Sequence, residues 1–168
     1  MSDFRCIPIP SDVGARWAHT GVDDSGNRLR RMVADARPAE PDGSRANGTG
    51  APCRHCLQDA DPGDALLLGS YLMPRPKGIY WTPSPIFVHA ESCPRFGEIN
   101  QVAPIVRNRL VSVRAYDADD QCIYDLGHAG NGNEIDHPLL RALDDPRTAF
   151  VNIHTAKPGC MLCRVERV

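Results

Sequence analysis

The sequence predicts an α+β fold, in which an antiparallel or mixed sheet of about six to eight strands carries two short helices. A mostly apolar run at residues 65–73 is bounded by turn formers and indicates a central strand. Residues 134–143 repeat apolar side chains at helical spacing. Residues 149–155 and 160–168 alternate like strands around Lys157-Pro158-Gly159, which predicts a C-terminal β-hairpin.

Length and composition predict one domain that spans residues 1–168 and exclude several function classes. The chain has 168 residues, of which 42% are apolar, and a formal net charge of -2. Its basic residues are scattered, so we expect no nucleic-acid partner. It lacks the run of about 18 apolar residues that a membrane span needs, and it lacks a secretory signal pattern, so we expect no membrane association and a cytoplasmic location. Seven cysteines in that compartment indicate thiols or metal ligands rather than disulfides.

The N-terminal third is predicted to hold little regular structure. Residues 4–9 form at most a short edge strand because Pro8 and Pro10 interrupt the pattern. Residues 13–26 are glycine-rich and predicted to be mostly loop, with Trp17 anchoring them to the core. Residues 29–35 fit a helical turn or a strand. Residues 37–51 contain proline, glycine and polar side chains, and we expect a flexible inserted loop there.

The central part alternates short strands and turns. After the strand at 65–73, residues 79–81 and 86–90 are strand-like pieces separated by prolines. Residues 97–110 suggest a short helix with Pro104 near its start. Residues 110–116 alternate cleanly and residues 122–124 are expected to return beside them as a hairpin.

The register of the C-terminal hairpin separates two cysteines. A three-residue loop sets Val151, Ile153 and Thr155 against Val165, Cys163 and Met161, which makes one face nearly all apolar. Cys163 then belongs to the core, whereas Cys160 lies on the polar face near His154. The two thiols of this Cys-x-x-Cys are therefore not expected to act as a simple pair.

Three segments carry cysteines and histidines at ligand-like spacing. They are Cys53-x-x-Cys56, His89-x-x-x-Cys93 and Cys160-x-x-Cys163. Zinc prefers four such ligands in a tetrahedral arrangement.

Longer motifs resemble a known family. Pro52-Cys53-Arg54 with Leu57 and Pro62-Gly63, then Pro85-Ile86-Phe87-Val88, then His154 to Cys160, is similar to the bacterial domain of unknown function 1203 family. The resemblance runs from about Arg31 to the C-terminus and implies a single-domain bacterial protein without an assigned activity, substrate or cofactor. It implies that the segment after Arg37 is an insertion. It also implies that counterparts of Cys53 and Cys160 are common, whereas four other candidate ligands depart from the commonest pattern, namely Cys56, His89, Cys93 and Cys163.

Two zinc tetrads remain open. The first consists of the residues that depart from the family pattern: Cys56, His89, Cys93 and Cys163. The second joins the two Cys-x-x-Cys motifs: Cys53, Cys56, Cys160 and Cys163. The first is slightly favoured, because Cys163 lies on the apolar face and His89 at a strand exit. Structural thiols without a metal are the plain alternative, since free cysteines pack as small hydrophobes.

The predicted function is a zinc-stabilised domain that binds a small molecule or a partner. One alternative is thiol redox chemistry by Cys53 and Cys160, because cationic neighbours such as Arg54 favour a thiolate. Another is a small-molecule enzyme that uses Arg54, Arg114, His154 and Lys157 to orient an anionic substrate. No sequence motif fixes a reaction type.

Overall fold

The computed structural model describes residues 2–46 and 48–168. Its strands and helices follow in this order: β1 (Phe4–Ile7), α1 (Asp12–Thr20), β2 (Arg30–Val33), β3 (Ala65–Tyr71), β4 (Ser84–His89), α2 (Pro104–Arg107), β5 (Leu110–Tyr116), β6 (His128–Asn131), α3 (Asp136–Asp144), β7 (Phe150–Thr155) and β8 (Met161–Arg167). No helix in the described part of the chain is long and apolar enough to span a membrane.

The strands form two antiparallel sheets, so the predicted α+β class is confirmed. The larger sheet has the order β1-β8-β7-β5-β6, and the smaller has the order β2-β3-β4. The apolar run at 65–73 is the central strand of the smaller sheet, as predicted. The C-terminal hairpin of β7 and β8 is also confirmed and lies inside the larger sheet.

Each sheet has its own apolar core. The first core lies between the larger sheet and helices α2 and α3, with Ile105, Leu139 and Ile153 fully buried. The second core lies between the smaller sheet and α1, where Trp17 is fully buried. Met161 of β8 belongs to the second core, and its backbone N–H donates to Ser84 Oγ of β4 at 2.9 Å. The sheets therefore meet where β8 begins.

The hairpin register is as predicted along most of its length and shifts near the turn. Val151 pairs with Val165, and Ile153 pairs with Cys163, but His154 pairs with Met161. Leu162 is thus the extra residue of a β-bulge on β8. Cys163 is fully buried in the first core, as the burial pattern predicted.

Three predictions for local structure were wrong, wholly or in part. Residues 79–81 are expected to be strand-like, but the structure has a 3-10 turn at Gly78–Tyr80. Residues 13–26 contain helix α1 instead of loop alone, because Val13 and Trp17 are spaced to bury one stripe and Gly21 ends the helix in a left-handed conformation. The strand expected at 122–124 pairs with β5 only at Cys122. A 3-10 turn at Tyr124–Leu126 interrupts the pairing, which resumes at β6.

The predicted flexible loop at 37–51 is tied to the rest of the chain at several points. Arg37 forms an isolated bridge with Gly48, and Asp42 forms an ion pair with Lys157. Its flexibility remains a prediction, and Asn47 lies outside the described residues.

Candidate metal centre

A tight turn at residues 53–57 presents two thiols on one side. The backbone N–H of Leu57 donates to the Cys53 carbonyl at 3.0 Å, and that of Cys53 donates to the Gln58 carbonyl at 2.9 Å. Arg54 N–H donates to the Phe87 carbonyl at 3.0 Å, which fixes the turn beside β4. The turn is therefore anchored to the strand that ends in His89.

Leu57 closes this turn in a conformation that disfavours leucine. Its φ is +54°, in the left-handed region that glycine usually occupies after the second cysteine of such a turn. The side chain is fully buried in the first core, whereas Cys53 and Cys56 belong to the second. The turn thus inserts between both cores.

The other two candidate ligands come from the end of β4 and the loop after it. Ile86 and Val88 bury one face of β4, and His89 follows at its last position. Nδ1 of His89 lies 3.7 Å from Cys56 Sγ. Four residues farther along, Cys93 Sγ lies 3.9 Å from Cys53 Sγ.

Together these residues form one compact group. The ligand atoms of Cys53, Cys56, His89 and Cys93 all lie within 4.8 Å of one another. In a zinc tetrahedron with bonds of about 2.3 Å to sulfur and about 2.0–2.1 Å to nitrogen, the sulfur–sulfur edge is about 3.8 Å and the sulfur–nitrogen edge about 3.6 Å. The two measured separations are within about 0.2 Å of those edges. The sulfur–sulfur separation of 3.9 Å far exceeds the length of a disulfide bond, which is about 2.05 Å.

Outer hydrogen bonds orient the two partly buried members of the group, His89 and Cys93. Nε2 of His89 lies 3.1 Å from the Asp64 carboxylate, so it carries the proton and leaves Nδ1 free to face the sulfurs. Nδ1 of His55 lies 3.3 Å from Cys93 Sγ, and its Nε2 lies 3.1 Å from Ser11 Oγ. Histidine–carboxylate pairs of this kind commonly support metal ligands.

The local electrostatics favour one thiolate at neutral pH. A hydrogen bond from the Cys56 thiol lowers the pKa of Cys53 to about 4, assisted by backbone N–H groups of residues 55, 56 and 89 and opposed by burial. The same thiol–thiol bond raises the pKa of Cys56. Burial, followed by the negative charge of Cys53, raises the pKa of Cys93 to about 11.

Comparison with known proteins places the chain in a family but gives it no activity. A family model described as "Protein of unknown function (DUF1203)" matches residues 50–167. The chain belongs to the DUF1203 family. Comparison with curated proteins and with solved structures returned no match. All four residues of the group lie inside the matched region of the DUF1203 protein, whereas β1, α1 and β2 precede it.

The DUF1203 fold brings together part of each predicted tetrad. Of the first, Cys56, His89 and Cys93 converge, but Cys163 lies in the first core beside Cys6. Of the second, Cys53 and Cys56 converge, and Cys160 and Cys163 do not join them. The sequence analysis counts the core position of Cys163 in favour of the first tetrad, but Cys163 lies in the first core, whereas Cys53 and Cys56 belong to the second.

The predicted catalytic residues occupy different environments. Arg54 is 2% exposed and donates to the carbonyls of Met161 at 2.7 Å and Pro52 at 2.5 Å, and burial lowers its pKa to about 10. Lys157 is on the surface, paired with Asp42. Cys160 is partly buried, and its backbone N–H donates to Thr155 Oγ1 at 3.0 Å.

His154 is buried and only half satisfied. Its Nδ1 donates to the Gly159 carbonyl at 2.9 Å, and its Nε2 has no hydrogen-bond partner among the described residues. Burial, and then the positive charge of Arg114, lowers the pKa of His154 to about 4. Arg114 itself borders a separate open pocket with Tyr116 and Tyr124.

Proposed function

We propose that the DUF1203 protein is a zinc-stabilised binding domain, with the ion held by Cys53, Cys56, His89 and Cys93. The observation that carries the proposal is the match between the measured ligand separations, 3.9 Å for sulfur–sulfur and 3.7 Å for sulfur–nitrogen, and the edges of a zinc tetrahedron. The donor set of three sulfurs and one imidazole nitrogen is also one that zinc favours.

The proposed ion has a structural role. Four protein ligands complete a tetrahedral shell, whereas catalytic zinc sites keep a position for water or substrate. The ligands come from the turn at 53–57, from β4 and from the loop after β4, which are close in space but separated in sequence. Binding would therefore stabilise the folded chain, since the unfolded chain has no such preformed site.

Elemental analysis of the purified full-length protein tests the proposal. We expect about one zinc per chain, because all four ligands are provided by the protein. Cys56→Ser should lose most of the zinc. Cys122→Ser is the matched control, because Cys122 bridges Tyr116 at the end of β5 and is not part of the group. Zinc-free protein that does not take up added zinc would rule the proposal out.

Asp64→Asn tests the outer hydrogen bond to His89. We expect a zinc affinity about 10-fold weaker, because a carboxylate bonded to a ligating histidine fixes its ring and raises its basicity. Competition with a chromogenic chelator measures the change. Asp61→Asn in the same turn is the control, because only the backbone of Asp61 contacts Asp64. Equal affinities for both variants would contradict a supporting role for Asp64.

Thiol redox chemistry is the second candidate, and the 3.9 Å separation between Cys53 and Cys93 favours it. In this case two thiols would each give up a hydrogen and form a disulfide, with an external oxidant accepting two electrons. Intact-mass measurement after aerobic purification separates the two functions. A reduced chain that retains zinc supports the first, and a chain lighter by two hydrogens without zinc supports the second.

A further inference from the structure

A second concave site lies beside Met161. It has a volume of about 290 Å³, and most of its wall is apolar. Residues 7–10, Tyr71, Met73 and Met161 contribute most of its apolar lining. It shares no residue with the candidate metal centre.

Two adjacent polar side chains in this pocket have unused hydrogen-bonding capacity. Asn152 is fully buried, and its Nδ2 donates to the Arg75 carbonyl at 3.2 Å, while its Oδ1 finds no partner within the described chain. Arg164 Nε is also buried and unpartnered among the residues described. Asn152 and Arg164 are directly opposed across β7 and β8. Buried polar groups without partners are rare in proteins and suggest a missing ligand or ion.

The charge of the pocket is positive. Its two ionisable residues other than tyrosine are Arg95 and Arg164, and no carboxylate belongs to its wall. Arg95 contacts the Pro8 carbonyl at 3.4 Å, and Arg164 pairs with Glu166 through Nη1 at 3.3 Å, which leaves Nε free. Arg164 is also stacked over Phe150, with Cζ 4.9 Å from the ring centre, so its guanidinium is held in place.

We propose that this pocket binds a small apolar 2-hydroxy carboxylic acid. The carboxylate would accept hydrogen bonds from Arg164 and face Arg95, because guanidinium groups match carboxylates. The hydroxyl would donate to Asn152 Oδ1. Since Asn152 and Arg164 are neighbours across the hairpin, the two groups of the ligand must also be neighbours. The apolar side chain would lie against Tyr71, Met73 and Met161.

Three probes that share a phenyl ring test this assignment on the protein as purified, by calorimetry. They are 3-phenyllactate, 3-phenylpropionate, which lacks the hydroxyl, and 3-phenyl-1,2-propanediol, which lacks the carboxylate. We expect 3-phenyllactate to bind at least about 10-fold more tightly than the diol, because hydrogen bonds to charged groups are strong. We expect 3-phenylpropionate to fall between them. Equal binding of all three probes, or no binding of 3-phenyllactate, would overturn the proposal.

Two variants assign the contacts. Arg164→Met should reduce 3-phenyllactate binding about 10-fold and bring it close to that of the diol. Asn152→Leu should remove the advantage of 3-phenyllactate over 3-phenylpropionate. Arg30→Met on β2 is the control for loss of one positive charge, since Arg30 is exposed and outside the pocket. If Arg164→Met does not fold, the comparison of probes on the unmodified protein decides alone.

Discussion

Leu57 has a strained backbone, with φ at +54°, and a side chain that is fully buried. Glycine would relieve the backbone strain at this position but leave a cavity in the first core. Leucine is thus a compromise between turn geometry and packing. It also explains why the sequence around Cys56 lacks the glycine expected after the second cysteine of a zinc turn.

Substitution of Leu57 by alanine or glycine separates the two effects. Both variants lose about 3 kcal/mol of packing energy. We expect Leu57→Gly to be the more stable of the two, with a free energy of unfolding about 1 kcal/mol larger than that of Leu57→Ala, because a left-handed backbone penalises alanine. Urea denaturation measures both. The same substitutions at Leu66, which is buried in extended strand β3, should show the reverse order. A higher stability for Leu57→Ala would contradict the strain argument.

His154 should make the protein sensitive to acid. Its folded pKa is about 4, against an ordinary value of 6.5, so between these values the unfolded chain binds a proton that the folded chain excludes. Stability is therefore lost as the pH falls through 6.5 towards 4. We expect this group to contribute a loss of about 2 kcal/mol between about pH 7 and pH 5.

The His154→Gln variant isolates this contribution. Urea denaturation of both proteins at the two pH values should show a loss about 2 kcal/mol smaller in the variant, because glutamine does not titrate. Acid effects on the metal ligands are common to both proteins and cancel in the comparison. An equal loss of stability in both proteins would show that protonation of His154 does not destabilise the folded protein.

At the scale of elements, α1 and β3 face each other through a glycine. A Cβ on Gly69 of β3 would lie 2.7 Å from Leu29 Cδ2, 2.8 Å from Asp23 Cβ and 3.0 Å from the Trp17 ring. A Cβ on Gly14 of α1 would meet only Val88 at an ordinary 3.8 Å. The packing of α1 on β3 therefore requires glycine at position 69 but not at position 14.

Alanine at these two positions should have opposite effects. Gly14→Ala is expected to stabilise the protein by about 0.5–1 kcal/mol, because alanine favours a helix over glycine. Gly69→Ala is expected to destabilise it by about 1–3 kcal/mol, because Trp17 and Asp23 must move. Thermal unfolding followed by circular dichroism measures both, and a Gly69→Ala protein as stable as the original would refute the contact.

Elements with a strong internal pattern were predictable from the sequence. The apolar run of β3 and the helical spacing of apolar residues in α3 are visible in the sequence. The alternation of apolar residues in β7 and β8 predicted most of their register. Helix α1 was missed because only Val13 and Trp17 of its nine residues are buried. Part of the converging Cys/His group was among the residues predicted from the sequence. Which thiols converge depends on how the turn at 53–57 docks on β4, and spacing along the chain does not encode that packing.

For the whole molecule, the two cores should respond differently to removal of the proposed zinc ion. Cys53 and Cys56 belong to the second core, with α1, β3 and β4 around them. We expect chelation under reducing conditions to speed amide exchange in these elements at least about 10-fold, because local opening there becomes about 1.4 kcal/mol easier. Strands β5, β7 and the later part of β8 should remain protected.

Hydrogen–deuterium exchange with mass spectrometry measures this difference, peptide by peptide. The Cys122→Ser protein, with and without chelator, should show the same pattern as the original. Uniform loss of protection in both cores would show that they unfold as one unit, and unchanged exchange would show that zinc does not support the second core.

The bulge at Leu162 limits where this chain tolerates changes in length. Met161 contributes to the second core, whereas Leu162 and Cys163 both contribute to the first. The bulge makes this distribution possible, because neighbouring residues of a regular strand face opposite ways. Residues gained or lost at 157–158 alter only the exposed tip of the turn and the ion pair of Lys157 with Asp42, whereas Gly159 accepts the hydrogen bond of His154. One residue gained or lost between 160 and 163 would reassign Met161 and Cys163 to the wrong cores, so we expect relatives of this chain to differ in length at the turn and not at the bulge.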